Sequence, residues 1–132
     1  MNVNIIVSDN FAREAKKLLK KYHSLKSELQ AFQKSLEESP LQGVLLTENV
    51  YKIRLAVKSK GRGKSGGLRI ITYIQVIQDE EGIIYVFLLS IYDKSEFDSL
   101  PEHLIKNMVS EIQSDFNSTN IEEIEDEVPP TE

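Results

Sequence analysis

Residues 50–77 (VYKIRLAVKSKGRGKSGGLRIITYIQVI) hold two runs of β-branched and aromatic residues on either side of a glycine-rich loop. In the first run, 50–57, apolar residues alternate with Lys52 and Arg54, which is the period of a strand with one buried face. The second run, 68–77, is largely apolar and has the length of a strand. The segment therefore predicts two extended strands joined by a basic loop.

The alternation typical of strands and the spacing typical of helices predict the elements in the remainder of the chain. Extended runs predict two more strands, at residues 2–8 and 83–92. Apolar residues at helical spacing predict three helices, from Ser8 or Asp9 to Tyr22, from 25 to 38, and from Pro101 to Phe116. The order β-α-α-β-β-β-α predicts an α+β domain in which helices pack on one face of an antiparallel sheet.

Length and composition indicate one ordinary globular domain. The chain has 132 residues, of which 40% are hydrophobic and 28% are charged. We expect the domain to span residues 1–116 and residues 117–132 to form an acidic tail that is disordered or ordered by a partner. No apolar stretch is long enough to span a bilayer, so we expect a cytoplasmic protein without a membrane partner. The absence of cysteine excludes disulfides, thiolate zinc sites and a cysteine nucleophile.

The charges are unevenly distributed along the chain. The net charge is −5, yet residues 49–78 carry a charge of +7 without one carboxylate, and residues 111–132 carry −8. The seven cations are Lys52, Arg54, Lys58, Lys60, Arg62, Lys64 and Arg69. Such a local concentration forms a phosphate-binding surface whatever the sign of the whole protein, because fields are screened over about 10 Å at moderate salt.

Three of these cations are candidates for chemistry on a phosphodiester. Lys52 and Arg54 are two apart on a strand and so share a face about 7 Å apart. If Arg69 lies on an antiparallel neighbour, the three converge on one concave surface and clamp a scissile phosphate. The alternative interpretation is a solvated strand face followed by a mobile basic loop.

Other familiar site patterns fail. Gly63-Lys64-Ser65 resembles the end of a phosphate-binding loop, but that motif requires glycine where Lys58 stands. His23 and His103 occupy polar helical positions far apart in sequence. With no catalytic histidine arrangement or metal-spaced carboxylates, we expect no metal and no cofactor. Any chemistry then falls to lysine, arginine and tyrosine.

Three segments together carry a family resemblance, which covers roughly residues 2–115. They are YKIRL (51–55), KGRGKSGGLRII (60–71) and LSIYDKSE (89–96). In this order they resemble the RelE/HigB branch of the RelE/ParE toxins of type II toxin–antitoxin systems. The resemblance implies the RelE-like fold, and a metal-independent endoribonuclease that cuts messenger RNA, commonly on the ribosome, and is silenced by a cognate antitoxin.

The resemblance also implies residue roles. Lys52, Arg54, Arg69 and Lys94 match the catalytic cations of the family. Lys52 or Arg54 would activate the attacking 2′-hydroxyl, Arg69 would stabilise the phosphorane, and Lys94 or Tyr92 would protonate the leaving 5′-oxygen. Asp93 is a second candidate for the acid, because Phe97 and Leu100 stand where RelE has a tyrosine. The loop cations Lys58, Lys60, Arg62 and Lys64 would bind RNA.

Two alternatives stay open at this point. A ParE-like toxin shares the fold and blocks DNA gyrase without catalysis, but such chains generally lack the cation set that this chain keeps. An inactive RNA-binding homologue, whose acidic tail shields the basic face, rests only on opposite charges.

Overall fold

The computed structural model describes residues 2–60, 66–77 and 82–127, with side chains as far as Asp115. Its elements, in chain order, are β1 (Asn2–Val7), α1 (Asp9–Lys21), α2 (Leu25–Glu38), β2 (Val44–Thr47), β3 (Val50–Leu55), a 3₁₀ turn (Lys58–Lys60), β4 (Leu68–Ile77), β5 (Ile83–Asp93) and α3 (Glu102–Glu127). The α+β class is confirmed, and every predicted element is present. The sheet and the first two helices form one compact unit that ends at Ser99, and α3 belongs to a second unit.

Within the described residues, five strands form one mixed sheet in the order β1-β5-β4-β3-β2. Neighbouring pairs among β2, β3, β4 and β5 are antiparallel, but β1 lies parallel to β5, with Asn2 opposite Ile83. The prediction of a wholly antiparallel sheet is therefore wrong at this edge. Alternation of apolar residues reports which face a side chain occupies and says nothing about the direction of the neighbouring strand.

The strand β2 was not expected from the sequence. Its four residues, VLLT, do not alternate, and they follow Pro40 and Gly43, which favour a loop. Pairing with β3 nevertheless forms a hairpin whose two-residue connection ends at Asn49, a residue with φ +62°. Asparagine tolerates that left-handed conformation well, so the turn suits a tight hairpin.

The main core lies between the sheet and the helices α1 and α2. Ile53, Ile70 and Ile91 pair side by side across β3, β4 and β5 and belong to one buried cluster with apolar residues of both helices. The helix residues of that cluster are Phe11, Ala15, Leu18, Tyr22, Leu25, Phe32 and Leu36. Ser8 caps α1 as expected, because its hydroxyl accepts a hydrogen bond from the Phe11 amide at 3.1 Å.

Helix α1 also completes the open edge of β5. Beyond the end of β1, the Leu89 carbonyl accepts hydrogen bonds from the Ser8 hydroxyl and the Asn10 amide, at 3.2 and 3.0 Å. The Glu14 carboxylate accepts from the Ser90 hydroxyl at 2.8 Å. Burial raises the pKa of Glu14, and the hydrogen bonds that its carboxylate accepts from Ser90, the Ile91 amide and Asn10 only partly oppose the shift. Side chains thus satisfy strand groups that a further strand would otherwise pair.

The final helix, α3, runs past Phe116, where the sequence indicated its end, to Glu127. An ion pair between Glu102 and Lys106, 3.3 Å apart and largely exposed, lies in its first turns. Residues 128–132 lie outside the described residues, and a tail that orders with a partner stays a prediction. None of the described helices is both long and apolar enough to cross a membrane.

Gly43 offers a test of how β2 is placed. Its φ is +89°, and a Cβ there would collide with the Lys52 carbonyl and lie 2.8 Å from Cγ1 of Ile53. We expect Gly43→Ala to lower the free energy of unfolding by about 2–3 kcal/mol, measured by urea denaturation, since strain and the clash add.

Gly82→Ala is the matched control. Gly82 also has a positive φ, +64°, but a Cβ there meets no atom of the described residues within 4 Å, so we expect a loss of only about 1 kcal/mol. Equal losses at both positions would contradict the close approach of Gly43 to β3.

Candidate functional site

The strand register brings three of the predicted site residues into one line across the sheet. Arg54 on β3 lies opposite Arg69 on β4, which lies opposite Tyr92 on β5. Each follows or precedes a residue of the helix-facing core by one position, so all three lie on the other face of the sheet. Lys52, two residues from Arg54, shares that face. We call Lys52, Arg54, Arg69 and Tyr92 the cationic row.

Members of the cationic row differ in exposure. Arg54 is exposed and Lys52 is half-buried, whereas Arg69 is 2% exposed and Tyr92 is also buried. One guanidinium nitrogen of Arg69 donates to the Leu68 carbonyl at 3.2 Å. In this structure a phosphate can therefore reach Arg54 and Lys52 directly, and can reach Arg69 only if neighbouring groups move.

Burial and like charge act together on Arg69. Burial lowers the pKa of Arg69, the nearby Arg54 lowers it further, and Tyr92 opposes both. Burial also raises the pKa of Tyr92, with Arg69 opposing the shift, so the phenol keeps its proton at neutral pH. Among the described groups, none hydrogen-bonds the Tyr92 hydroxyl. A protonated phenol beside a cation has the chemistry of a proton donor to an oxyanion.

A buried carboxylate, that of Asp93, lies at the end of β5 on the helix-facing side of the sheet. The sequence indicates Asp93 as a candidate general acid and does not predict a structural role for it. Asp93 is fully buried, and one of its oxygens accepts hydrogen bonds from the Tyr22 hydroxyl at 2.5 Å. The other accepts from the Lys60 ammonium at 2.5 Å and from the Ser95 amide and hydroxyl at 2.9 and 2.7 Å. Lys60 also donates to the Gly66 carbonyl at 2.7 Å. We call Tyr22, Lys60, Asp93 and Ser95 the Asp93 cluster.

This cluster bears on two predicted roles. Burial by itself would raise the pKa of Asp93, but the hydrogen bonds from Lys60, Tyr22 and Ser95 outweigh it and hold that pKa far below its usual range. Asp93 is therefore ionised at neutral pH and cannot serve as the general acid. The Lys60 ammonium is committed to the same carboxylate, so binding RNA would require breaking a buried ion pair.

The other described site residues from the sequence analysis lie in turns and not on the paired strands of the cationic row. Lys94 is exposed in the turn after β5, and its amide donates to the Gly67 carbonyl at 3.4 Å. Lys58 is exposed in the 3₁₀ turn, where its amide donates to the Glu28 carboxylate at 2.7 Å. Arg62 and Lys64 lie outside the described residues. Among the described residues, the structure thus groups Lys52, Arg54, Arg69 and Tyr92 in one row, and Lys58, Lys60 and Lys94 are not members of it.

The described residues give little indication of a cofactor or a ligand. Within the described parts of the chain, no group of three histidine or acidic side chains is arranged to hold a metal ion. A cavity of about 300 Å³ lies between α1 and the end of β5, lined by Lys17 and Lys21 as well as by Glu14, Glu96 and Phe97. Its mixed charges indicate no single class of ligand.

Comparison with known proteins leaves the family open. No family model and no curated protein matches the sequence. The resemblance to the RelE/HigB toxins is thus carried by the residues of three segments alone.

The Asp93 cluster predicts a large effect of a conservative change. We expect Asp93→Asn to lower the free energy of unfolding by about 3 kcal/mol, because it leaves the Lys60 ammonium buried without its counter-ion. Glu102→Gln is the matched control: it removes the same kind of charge from the exposed pair with Lys106 and should cost at most about 0.5 kcal/mol. Chemical denaturation of both variants at pH 7 measures the difference.

Comparison of the wild type with Asp93→Asn also tests the pH dependence of stability. The pKa of Asp93 is lower in the folded than in the unfolded protein. The ionised carboxylate therefore contributes fully to the free energy of unfolding above about pH 5, and this contribution is lost as the pH falls toward the folded-state pKa. The stability gap between wild type and Asp93→Asn should therefore be constant from pH 7 to 5 and narrow below pH 4. A gap that widens in acid would contradict an ionised Asp93.

Proposed function

We propose that this chain is the toxin of a type II toxin–antitoxin system and acts as a metal-independent endoribonuclease on messenger RNA. The observation that supports this most is the cationic row, in which Arg54, Arg69 and Tyr92 stand opposite one another on three neighbouring strands. Two guanidinium groups can hold the phosphate oxygens on which charge develops, and a phenol beside them can supply a proton.

The reaction that suits these groups is transfer of a phosphoryl group within the RNA. The 2′-oxygen attacks its own phosphorus, the bond to the 5′-oxygen breaks, and the products are a 2′,3′-cyclic phosphate and a free 5′-hydroxyl. The 2′-proton passes to water, while Lys52 or Arg54 stabilises the negative charge that develops on the 2′-oxygen and Arg69 stabilises the extra charge of the phosphorane. Tyr92, or Lys94 from the adjoining turn, delivers a proton to the 5′-oxygen.

Accessibility sets the order of contact. Arg54 is the exposed member of the row and Lys52 is partly exposed, so they bind the phosphodiester first. Arg69 and Tyr92 lie behind them and engage only after a local rearrangement, which binding to the ribosome can provide. The required movement explains how such an enzyme would remain inactive on free RNA and cut messages during translation.

The partners follow from the same surface. A cognate antitoxin that lays a helix or an extended segment over Lys52, Arg54 and Arg69 would cover the phosphate-binding groups. Carboxylates on that segment would replace the phosphates and neutralise the accessible cations Lys52 and Arg54. No membrane is required, and the proposed place of action is the cytoplasm.

The burial of Arg69 and Tyr92 favours a second candidate function. A ParE-like toxin acts by binding DNA gyrase and needs no catalytic group to touch a phosphate. With two members of the cationic row buried, this structure is also compatible with a surface that only binds. An inactive homologue that retains RNA binding is the remaining alternative.

One experiment separates these functions. The purified full-length protein is incubated with ribosomes translating a defined message, and the RNA ends are mapped; supercoiling by gyrase is assayed in parallel. The proposal requires new ends carrying a 5′-hydroxyl, formed without added divalent metal beyond what the ribosomes need. Intact messages with inhibited gyrase would establish the ParE-like function instead.

Arg54 gives the sharper test of the site because it is exposed, so its loss should leave folding intact. We expect Arg54→Ala to reduce the rate of cleavage by about 10²–10³-fold, the loss typical of removing one group that stabilises developing charge. Arg54→Lys should recover only part of it, since lysine lacks the planar fork. Thermal denaturation monitors folding.

Lys34→Ala is the control, because Lys34 is an exposed cation on α2, away from the cationic row. Its cleavage rate should equal that of the wild type. Equal losses in Lys34→Ala and Arg54→Ala would show that net charge matters and the cationic row does not.

A further inference from the structure

The edge strand β2 exposes an unusual concentration of apolar side chains. Val44, Leu45 and Leu46 are 60, 57 and 40% exposed, and Leu41 just before them is 58% exposed. Three consecutive exposed apolar residues in a strand are rare on a monomer's surface, where patches of this kind mark contacts with another chain.

The backbone of β2 is open on the same side. The strand pairs with β3 on one side, and among the described residues no strand pairs with it on the other. Edge strands of stable monomers are normally protected by lysine, proline or inward-pointing charge. The residues VLLT contain none of these, and the strand has two other protective features, its length of only four residues and the irregular register between Leu45 and Thr47.

We propose that β2 is a homodimerisation strand, which pairs antiparallel with β2 of a second copy about a two-fold axis. A second copy is the occupant because it presents the same uncharged, apolar edge. Around an axis near Leu45, leucine meets leucine and no ionised group lies within either strand. A charged segment from another protein would instead have to desolvate its charges against these leucines.

The cationic residues of the two copies do not oppose this arrangement. Lys52 lies on β3, directly opposite Val44, so three strand spacings separate β3 of one copy from β3 of the other. At about 4.8 Å each, the separation is about 14 Å, beyond the screening length at physiological salt. Because β2 is short and irregular at Leu46, we expect weak association, with Kd on the order of 10–100 µM.

The test is sedimentation velocity of the full-length protein from about 5 to 500 µM. The wild type should shift from monomer to dimer over this range, and Leu45→Lys should weaken association at least tenfold. Val76→Lys makes the same change at a 53% exposed position on β4, away from the β2 edge, and should leave the dimer unchanged. Circular dichroism confirms that each variant folds.

A charge-complementation arm distinguishes a two-fold interface from local damage. Leu45→Lys and Leu45→Glu should each be monomeric alone, because like charges meet across the axis, and an equimolar mixture should recover association. A wild type that stays monomeric at 500 µM, or a dimer that survives both variants, would overturn the proposal. The experiment needs no RNA, so its outcome is independent of the proposed function.

Discussion

The end of the sheet that carries the candidate site depends on the hydrogen bonds and the ion pair that the buried Asp93 carboxylate accepts. It joins Tyr22 beyond the end of α1, Lys60 at the start of the basic loop and Ser95 in the turn after β5. A buried carboxylate is unfavourable unless all its lone pairs are used, and here each oxygen is occupied. Helix, loop and strand end are therefore held together by one charge that only their joint arrangement can satisfy.

Asp93 connects this cluster to the cationic row through the alternation of a strand. Its neighbour Tyr92 lies on the opposite face, in line with Arg69 and Arg54. The carboxylate thus fixes the strand end from the helix side while the phenol and the guanidinium groups lie on the other. This division explains why Lys60 and Arg69, nine residues apart in a uniformly basic segment, serve opposite purposes: one neutralises a buried acid and the other belongs to the candidate site.

Much of the fold could be predicted from the sequence because local patterns determine it. The periods of residues 50–57 and 68–77 identified two strands and placed Lys52 and Arg54 on one face, and the serine before α1 identified its cap. The parallel pairing of β1 with β5 could not be predicted, since alternation is the same in both directions. The strand β2 was missed because its pattern is that of a loop, and only pairing with β3 makes it extended.

Part of the candidate site could also be predicted from the sequence. The distribution of charge identified the basic segment, and strand alternation placed Lys52 and Arg54 on one face. The convergence of Arg69 with them depended on the condition that its strand pairs antiparallel with theirs. The commitment of Lys60 to Asp93 and the burial of Arg69 could not be foreseen, because they depend on which side chains tertiary packing brings near. The one available signal was an aspartate ending an otherwise apolar strand, a position at which a carboxylate requires a buried partner.

The proposed function requires that the sheet face bearing Lys52 and Arg54 binds an RNA phosphodiester. The most direct measurement is a titration of the ¹⁵N-labelled protein with a short RNA whose 2′-hydroxyls are methylated, so that it binds but cannot be cut. We expect amide shifts centred on Lys52, Arg54 and Arg69 that diminish with added salt. Shifts confined to the lysines of α1, or no shifts at millimolar RNA, would contradict it.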